Sequence, residues 1–280
     1  GYHLGYLRCL LSSLQLYAEP ELHEIILVTQ PEHEAAARNA ATSVTLPVPL
    51  HVVSTPAGPY QHGLALNTGA SMATGNVLLF ADDDTEAIQR PWLSSLTAYL
   101  DQTDVGCVAP RLVLQIGDKP TLQSGPMTLG IGDWAACYNG ERRLLDEQGV
   151  FSRLQTSQDV STVAGHFFLL QRALWQTLGG FNTDDCHTFT TVHDFCIRAS
   201  QAGHRHIWTP VSSVLHQGGK TVEAMGREAG RAYEIKSAAL REKQSFLTRW
   251  VKHIAQDKGY NRHLSLQTPY DVEADLVVDW

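Results

Sequence analysis

LNTGASMATGNVLLFADDDTE, residues 66–86, joins a small-residue helix to a short apolar strand that runs straight into three carboxylates. Gly69, Ala70 and Ala73 let a helix over Thr68 to Ala73 pack closely, and Gly75 offers it a stop with positive φ. Asn76 to Ala81 is an apolar run of strand length bounded by turn residues, the pattern of a buried strand in a parallel sheet. Asp82, Asp83 and Asp84 then fall at its carboxyl end, where open α/β sheets bind ligands.

Side chains alternate along an extended chain, so Asp82 and Asp84 are expected on one side and Asp83 on the other. Two hard oxygen ligands at a strand end suit Mg²⁺ or Mn²⁺, with water and a diphosphate completing the shell. The plainer alternative is that Asp-Asp-Asp-Thr caps a following helix, since Asp and Thr are favoured N-caps. Three adjacent like charges repel, however, and a cation among them relieves the repulsion.

Upstream, Leu4, Leu7, Leu11 and Leu14 recur at helical spacing, so residues 3–18 read as an amphipathic helix closed by Glu19-Pro20. His23 to Thr29 is a strand, Pro31 to Ala41 a helix opening on proline, and Leu50 to Ser54 another strand. This alternation implies parallel βαβ units, with a first strand expected ahead of the opening helix. Downstream, Pro91 to Leu100 reads as a helix and Val105 to Ile116 as a strand kinked at Pro110. Residues 117–158, rich in Gly and polar side chains, read as a long irregular segment of the kind that carries function. Val160 to Leu170 is a further buried strand, Gln171 to Leu178 and Thr191 to Ala202 are helices, and His204 to Thr209 is a strand leading to Pro210. From Lys220 to about Gln256 the pattern is helical, with a stripe of Phe246, Leu247, Trp250, Val251 and Ile254. The chain thus divides into a core over 1–219 and a C-terminal helix and tail over 220–280.

A chain of 280 residues can bury a large core, and 43% hydrophobic with 18% charged residues is a globular composition. A net charge of −8 argues against nucleic acid or anionic membrane bound through a general basic field. No apolar stretch reaches the length of a membrane span. Five cysteines without a CxxC pair read as buried, reduced thiols of a cytosolic protein.

Residues 66–86 resemble the "N-x-G…A-x-G…DxD" block of the family 2, GT-A type glycosyltransferases. Residues 179–219, GGFNTDDCHTFTTVHDFCIRASQAGHRHIWTPVSSVLHQGG, are similar to a second block of that family, and VAGHFFLLQRALWQTL lies between them. The resemblance implies an α/β, GT-A fold: a mostly parallel, Rossmann-like sheet flanked by helices, with a C-terminal helical extension and its first strand missing here. It implies metal-dependent transfer of a sugar, with inversion, from a nucleotide diphosphate sugar to an acceptor hydroxyl in polysaccharide or glycoconjugate synthesis. UDP is the first choice of nucleotide, a glycan or lipid-linked molecule the acceptor, and Mn²⁺ or Mg²⁺ the ion. A cytoplasmic location follows, with the inner face of a membrane as a further option.

On this reading Asp82 lies near the ribose and the metal, Asp84 coordinates the metal and His216 is the remaining protein ligand. Asp83, Asn67, Thr29 and Gln30 join Asp82 in holding the donor, although the family's usual Asp is absent from the Thr29-Gln30 turn. An inverting transfer needs a base, yet Thr191 and Val192 occupy the family's usual carboxylate positions. Asp194 is the first replacement, followed by His193, Asp185 and Asp184; the structural alternative makes Asp194 a helix cap and Asp184-Asp185 a turn. Arg198, one turn beyond Asp194, would pair with it and lower its pKa. His166 could line the sugar pocket, although a strand-end histidine is more often structural. Trp134, Tyr138 and Trp208 could stack on sugars, although most aromatics are core. The C-terminal helix is expected to pack on the core or form a homo-oligomer contact rather than enter a membrane.

The competing reading is a GT-A-like module that binds nucleotide or glycan without catalysis, favoured by the missing acids at Thr191-Val192. A nucleotidyltransferase or phosphohydrolase would also use clustered aspartates, but the chain has no Gly-rich, Lys-bearing phosphate loop.

Overall fold

The structure, a computed structural model, describes residues 4–116, 119–131, 136–138, 143–186, 188–217 and 231–255, with 257, 259–261, 263–265 and 270 of the tail. Helix α1 (Leu4–Leu16) buries Leu7, Leu10, Leu11 and Leu14, the stripe visible in the sequence. It leads to β1 (Ile25–Thr29), α2 (Glu34–Ala41) and β2 (Leu50–Ser54), and β1 and β2 pair in parallel. Helix α3 (His62–Met72) starts six residues before the expected Thr68 and delivers the chain to β3 (Val77–Ala81).

Gly75 is not the positive-φ stop expected of it. Ala73 leaves the helix at φ −68°, ψ 142°, and the turn is held by Glu24, whose Oε1 accepts from Thr74 N (2.6 Å), Thr74 Oγ1 (2.7 Å) and Gly75 N (3.1 Å). After the three aspartates comes a short strand, β4 (Thr85–Ala87), so the acids do not cap a helix. Helix α4 (Leu93–Thr97) is shorter than expected and is followed by β5 (Val105–Ile116). The segment read as irregular contains β6 (Lys119–Ser124), β7 (Met127–Leu129), β8 (Ala136–Tyr138) and β9 (Gln158–Val160). Next come β10 (Phe167–Gln171), α5 (Arg172–Thr177), α6 (Thr191–Gln201), β11 (Arg205–His216) and α7 (Arg231–Ile254).

The main sheet has the order β3-β10-β5-β11-β4, with β6 on β5 and β9 on β11. The α/β architecture is as expected, but the direction of pairing is not. Among the described strands only β1–β2 and β5–β11 run parallel, while β10 lies antiparallel to both β3 and β5. VLLFA and FFLLQ are apolar on both faces because helices cover the sheet, and such runs look alike in either direction. Strand β11 also continues through Pro210. Its register shifts between Thr209 and Ser213, opposite Pro110 of β5, so both prolines sit at one irregularity where a missing N–H disrupts no ladder bond.

Two buried clusters flank the sheet. Trp92, Phe167, Leu169, Ile197 and Val214 belong to one, and Phe80, Phe168, Phe181 and Phe195 to the other. Helix α7 completes the first by burying Phe246, with Trp250 and Ile254 packed around it. The stripe expected to serve packing or oligomerisation is thus spent largely on the chain's own core. No helix among the described residues is long and apolar enough to cross a membrane.

Glu19, read as part of a helix stop, instead caps α4 from 73 residues away. Its carboxylate accepts from Trp92 N (2.6 Å), Leu93 N (3.2 Å), Ser94 N (2.9 Å) and Ser94 Oγ (2.8 Å). Burial pushes its pKa up, but these donors outweigh burial and the net shift is downward. The cap's contribution is therefore complete above the ordinary carboxylate range and is lost as pH falls through the lowered pKa. Glu19→Ala is expected to cost about 1–2 kcal/mol at neutral pH. Thermal unfolding should show the gap to wild type narrowing as the pH falls below the ordinary carboxylate range; a gap independent of pH would mean that the charge is not what caps α4.

Candidate active site

Strand pairing brings two histidines against two of the three aspartates. Phe167 of β10 pairs with Ala81 of β3, and one step further Asp82 N donates to the His166 carbonyl at 2.9 Å. Their side chains also meet, with His166 Nδ1 at 2.8 Å from Asp82 Oδ2. On the other side β4 pairs with β11, which sets His216 against Thr85. There Gln217 N donates to the Asp84 carbonyl at 2.9 Å, and His216 Nε2 lies 3.1 Å from Asp84 Oδ1. The His166 and His216 rings stack with centroids 4.3 Å apart.

The chain turns immediately after Ala81, because the Asp82 carbonyl accepts from Thr85 N (3.1 Å) and Thr85 Oγ1 (2.7 Å). Strand alternation therefore stops there, and Asp82 and Asp84 each meet a histidine of their own, the two rings stacked on each other. Burial raises the Asp83 pKa to about 7, with the neighbouring Asp84 and Asp82 charges adding to it. Burial also pushes Asp82 up, but the His166 hydrogen bond and the charges of His166, His62 and His216 bring it below its ordinary value. For His166, burial opposes protonation, and Asp82 outweighs burial to raise the pKa. Tyr60 and His62 extend this polar wall, with the hydroxyl 3.0 Å from His62 Nδ1.

The donor set fits a divalent cation. His216 Nδ1 lies 2.7 Å from Gln123 Oε1 of β6, and in the tautomer that donates there Nε2 is left to face Asp84 with a lone pair. A lone pair and a carboxylate oxygen facing each other are satisfied by a proton or by a cation that both can ligate. An imidazole fixed through its far nitrogen is also how metal-ligating histidines are usually held. A second buried group, Cys107, Cys196 and His206, is different. Cys107 N donates to His206 Nδ1 at 3.1 Å, and His206 Nε2 lies 2.8 Å from the Cys196 carbonyl, so both ring nitrogens are committed to backbone.

The other sequence candidates scatter. Asn67 does not face the acids with a free amide: Oδ1 accepts from Trp175 Nε1 (3.1 Å) and Phe181 N (2.9 Å), and Nδ2 donates to the Phe181 carbonyl (2.8 Å). It clamps α3 to the Gly179-Gly180 turn, where φ of Gly180 is +80° and a Cβ would come within 2.7 Å of Asn67 Oδ1. Thr29 and Gln30 end β1, and Gln30 Nε2 donates to the Gly58 carbonyl at 3.2 Å. Trp208 is buried in the core, while Trp134, the Tyr138 side chain and Gly218-Gly219 lie outside the described residues.

Asp194 pairs with Arg198 as the spacing predicts (Nε to Oδ2, 2.8 Å), but it is fully buried and its Oδ1 accepts from Trp250 Nε1 at 3.0 Å. A base must reach the acceptor's proton, and this carboxylate is occupied in holding α6 to α7. His193 is buried too, bonded through Nδ1 to Thr162 Oγ1 at 2.8 Å, and burial brings its pKa down to about 4. Asp185 keeps solvent access while bonded to Arg249 (2.6 Å) and Asn182 (3.0 Å); Asp184 is exposed. Sequence reasoning missed Glu242 of α7, whose Oε1 accepts from the backbone N–H groups of Thr188, Phe189 and Thr190 at 3.0, 2.8 and 2.8 Å. It thereby fixes the loop ahead of α6.

A mixed sheet with an Asp/His cluster beyond the carboxyl end of β3 places the molecule among the GT-A glycosyltransferases. The chain belongs to glycosyltransferase family 2: the profile described as "Glycosyltransferase like family 2" matches residues 5–234. It is 25% identical over 212 residues to the O-antigen biosynthesis protein RfbC of Myxococcus xanthus, covering 74% of this chain and 15% of that protein. The fold is similar to that of GalNAc-T7 with UDP, GalNAc and Mn²⁺ (TM-score 0.56, 19% identity, 74% of this chain and 40% of the other). It is also similar to mannosyltransferase PcManGT from Pyrobaculum calidifontis with GDP-Man and Mn²⁺ (TM-score 0.54, 17% identity, 92% and 63%). The chain spans 15–29% of the length of the curated relatives it matches.

If Asp194 is a structural anchor, Asp194→Ala should destabilise the fold by about 1.5–3 kcal/mol, since Arg198, 23% exposed, and Trp250 Nε1 both lose the carboxylate they bond to. The activity remaining per folded molecule should keep the wild-type pH profile. Disappearance of its acidic limb in a variant of unchanged stability would return Asp194 to catalysis, since a base loses its function as it is protonated.

Proposed function

We propose that this chain transfers a sugar from a nucleoside diphosphate sugar to an acceptor hydroxyl, with inversion and with a divalent cation bound by Asp82, Asp84 and His216. The observation that carries the reading is the His216–Asp84 contact beside Asp82 in a chain of this family, with His216 Nδ1 held by Gln123. When bound, the cation supplies positive charge to the departing diphosphate. Asp82 and Asp84 orient the donor's diphosphate end through it, and Asp83, beside them, completes the acidic turn. Thr29 and Gln30, at the end of β1, are proposed to bond the nucleotide. Of the four base candidates Asp184 and Asp185 combine a carboxylate with solvent access, and Asp185, the nearer to α6, is carried forward as the group that takes the acceptor's proton. The relatives' names point to glycan assembly, and the neighbours' bound nucleotides divide between UDP and GDP; UDP is our first choice.

The alternative, a binding module without catalysis, predicts donor binding without turnover. A panel of UDP-, GDP- and dTDP-sugars, incubated with Mn²⁺ and simple glycan acceptors, decides between them. We expect release of one nucleoside diphosphate that requires an acceptor, stops in EDTA, and falls by about 10²-fold or more in Asp84→Asn, the scale of losing one electrostatic stabiliser of the transition state. NMR of the product should show the anomeric configuration opposite to the donor's. Metal-dependent donor binding with no product from any acceptor would favour the binding module. Full activity in EDTA would remove the cation from the mechanism.

A further inference from the structure

We propose that His166 is a further protein ligand of the donor-site cation, joining Asp82 and His216 beside Asp84, and that this second imidazole makes the site prefer Mn²⁺, Co²⁺ or Zn²⁺ to Mg²⁺. The inference rests on the donor-site cation of the proposed reaction and adds both a residue and a metal preference to it. One ligand atom each from Asp82, His166 and His216 can be chosen so that all three lie within 4.8 Å of one another. Adjacent ligands of an ion bound at about 2.1 Å stand roughly 3 Å apart. The His166–Asp82 and His216–Asp84 pairs, at 2.8 and 3.1 Å, have that spacing.

Strand pairing and the stacked rings hold His166 and His216 against each other, so an ion at Asp82, His166 and His216 meets ligands already in place. Such support from neighbouring groups is what gives a metal site its geometry. His166 also has a side chain 38% exposed, so the pair it forms with Asp82 is open to an entering ion, whereas His216 and Asp84 are buried at 3% and 7%. The second imidazole changes the chemistry. Mg²⁺ takes oxygen ligands and gives up water reluctantly, while borderline transition ions gain from each nitrogen donor.

The test uses the whole chain, stripped of metal by chelation and without nucleotide. Co²⁺ binding is followed by its visible d–d absorption, Mn²⁺ by the EPR signal of the free ion, and Mg²⁺ by competition with Mn²⁺. Wild type is expected to bind Co²⁺ and Mn²⁺ at least about tenfold more tightly than Mg²⁺. H166A should weaken Co²⁺ by about 10–100-fold and leave Mg²⁺ nearly unchanged. H166C should regain Co²⁺ and show a thiolate-to-cobalt charge-transfer band, which a side chain outside the coordination shell cannot give. Circular dichroism of each variant establishes that the fold is kept.

Equal Co²⁺ affinity in wild type and H166A, with no charge-transfer band in H166C, would overturn the role of His166 while leaving the transferase reading standing. Wild type that binds none of the three ions would overturn the metal site as a whole. Sugar transfer would then be judged separately, by acceptor-dependent nucleotide release in EDTA.

Discussion

Strand β10 runs antiparallel to β3, with Phe167 opposite Ala81, so the residue before Phe167 is forced beside the residue after Ala81. Much of the site follows from this one register. In a parallel pairing His166 would sit at the far end of β3, roughly 17 Å away at the usual rise per residue. Antiparallel, it lies against Asp82. The same logic repeats across the sheet, where β4 and β11 pair antiparallel and bring His216 to Asp84. Neither histidine depends on a flexible loop for its place, and rigid elements hold ligand geometry more closely than loops do.

The opposite side of the site depends on α7. Its Phe246 is buried in the main core, Trp250 bonds to Asp194, and Glu242 fills the concavity formed by three successive N–H groups at 188–190. The loop ahead of α6 is therefore held by a helix some fifty residues further along the chain. Where Thr191 and Val192 replace acids, that loop carries no carboxylate of its own next to α6 until Asp194, and α7 supplies the one that satisfies its backbone. Glu242 is held in place by four donors, counting the Thr190 hydroxyl.

Local signals were legible in the sequence where the physics is local. The leucine stripe of α1, the strands Leu50–Ser54 and Val105–Ile116, and the Asp194–Arg198 pair one helical turn apart all stand as read. What could not be read is set by long-range partners. Glu19, Glu24 and Glu242 each satisfy backbone N–H groups 73, 50 and 52 residues away, and nothing in an isolated glutamate marks it as a cap. Strand direction is equally silent, because a strand covered on both faces shows apolar residues either way. That silence hid His166: read as part of a parallel strand it has no reason to meet an aspartate. Asn67 failed for the converse reason, since its amide looks free in sequence and is consumed by the turn after α5.

The charge arrangement bears on the order in which ligands can bind. Asp82, Asp83 and Asp84 stand together, and their mutual repulsion, added to burial, lifts Asp83 to about 7. A diphosphate approaching these carboxylates with no cation present would meet like charge, which costs more as water is excluded. With a cation held between the aspartates and the imidazoles, the same surface becomes an attractive one for the diphosphate, and Asp83 has less reason to keep its proton. On the proposed reading the aspartate turn is thus poorly suited to bind a nucleotide sugar alone and well suited to bind one together with its ion.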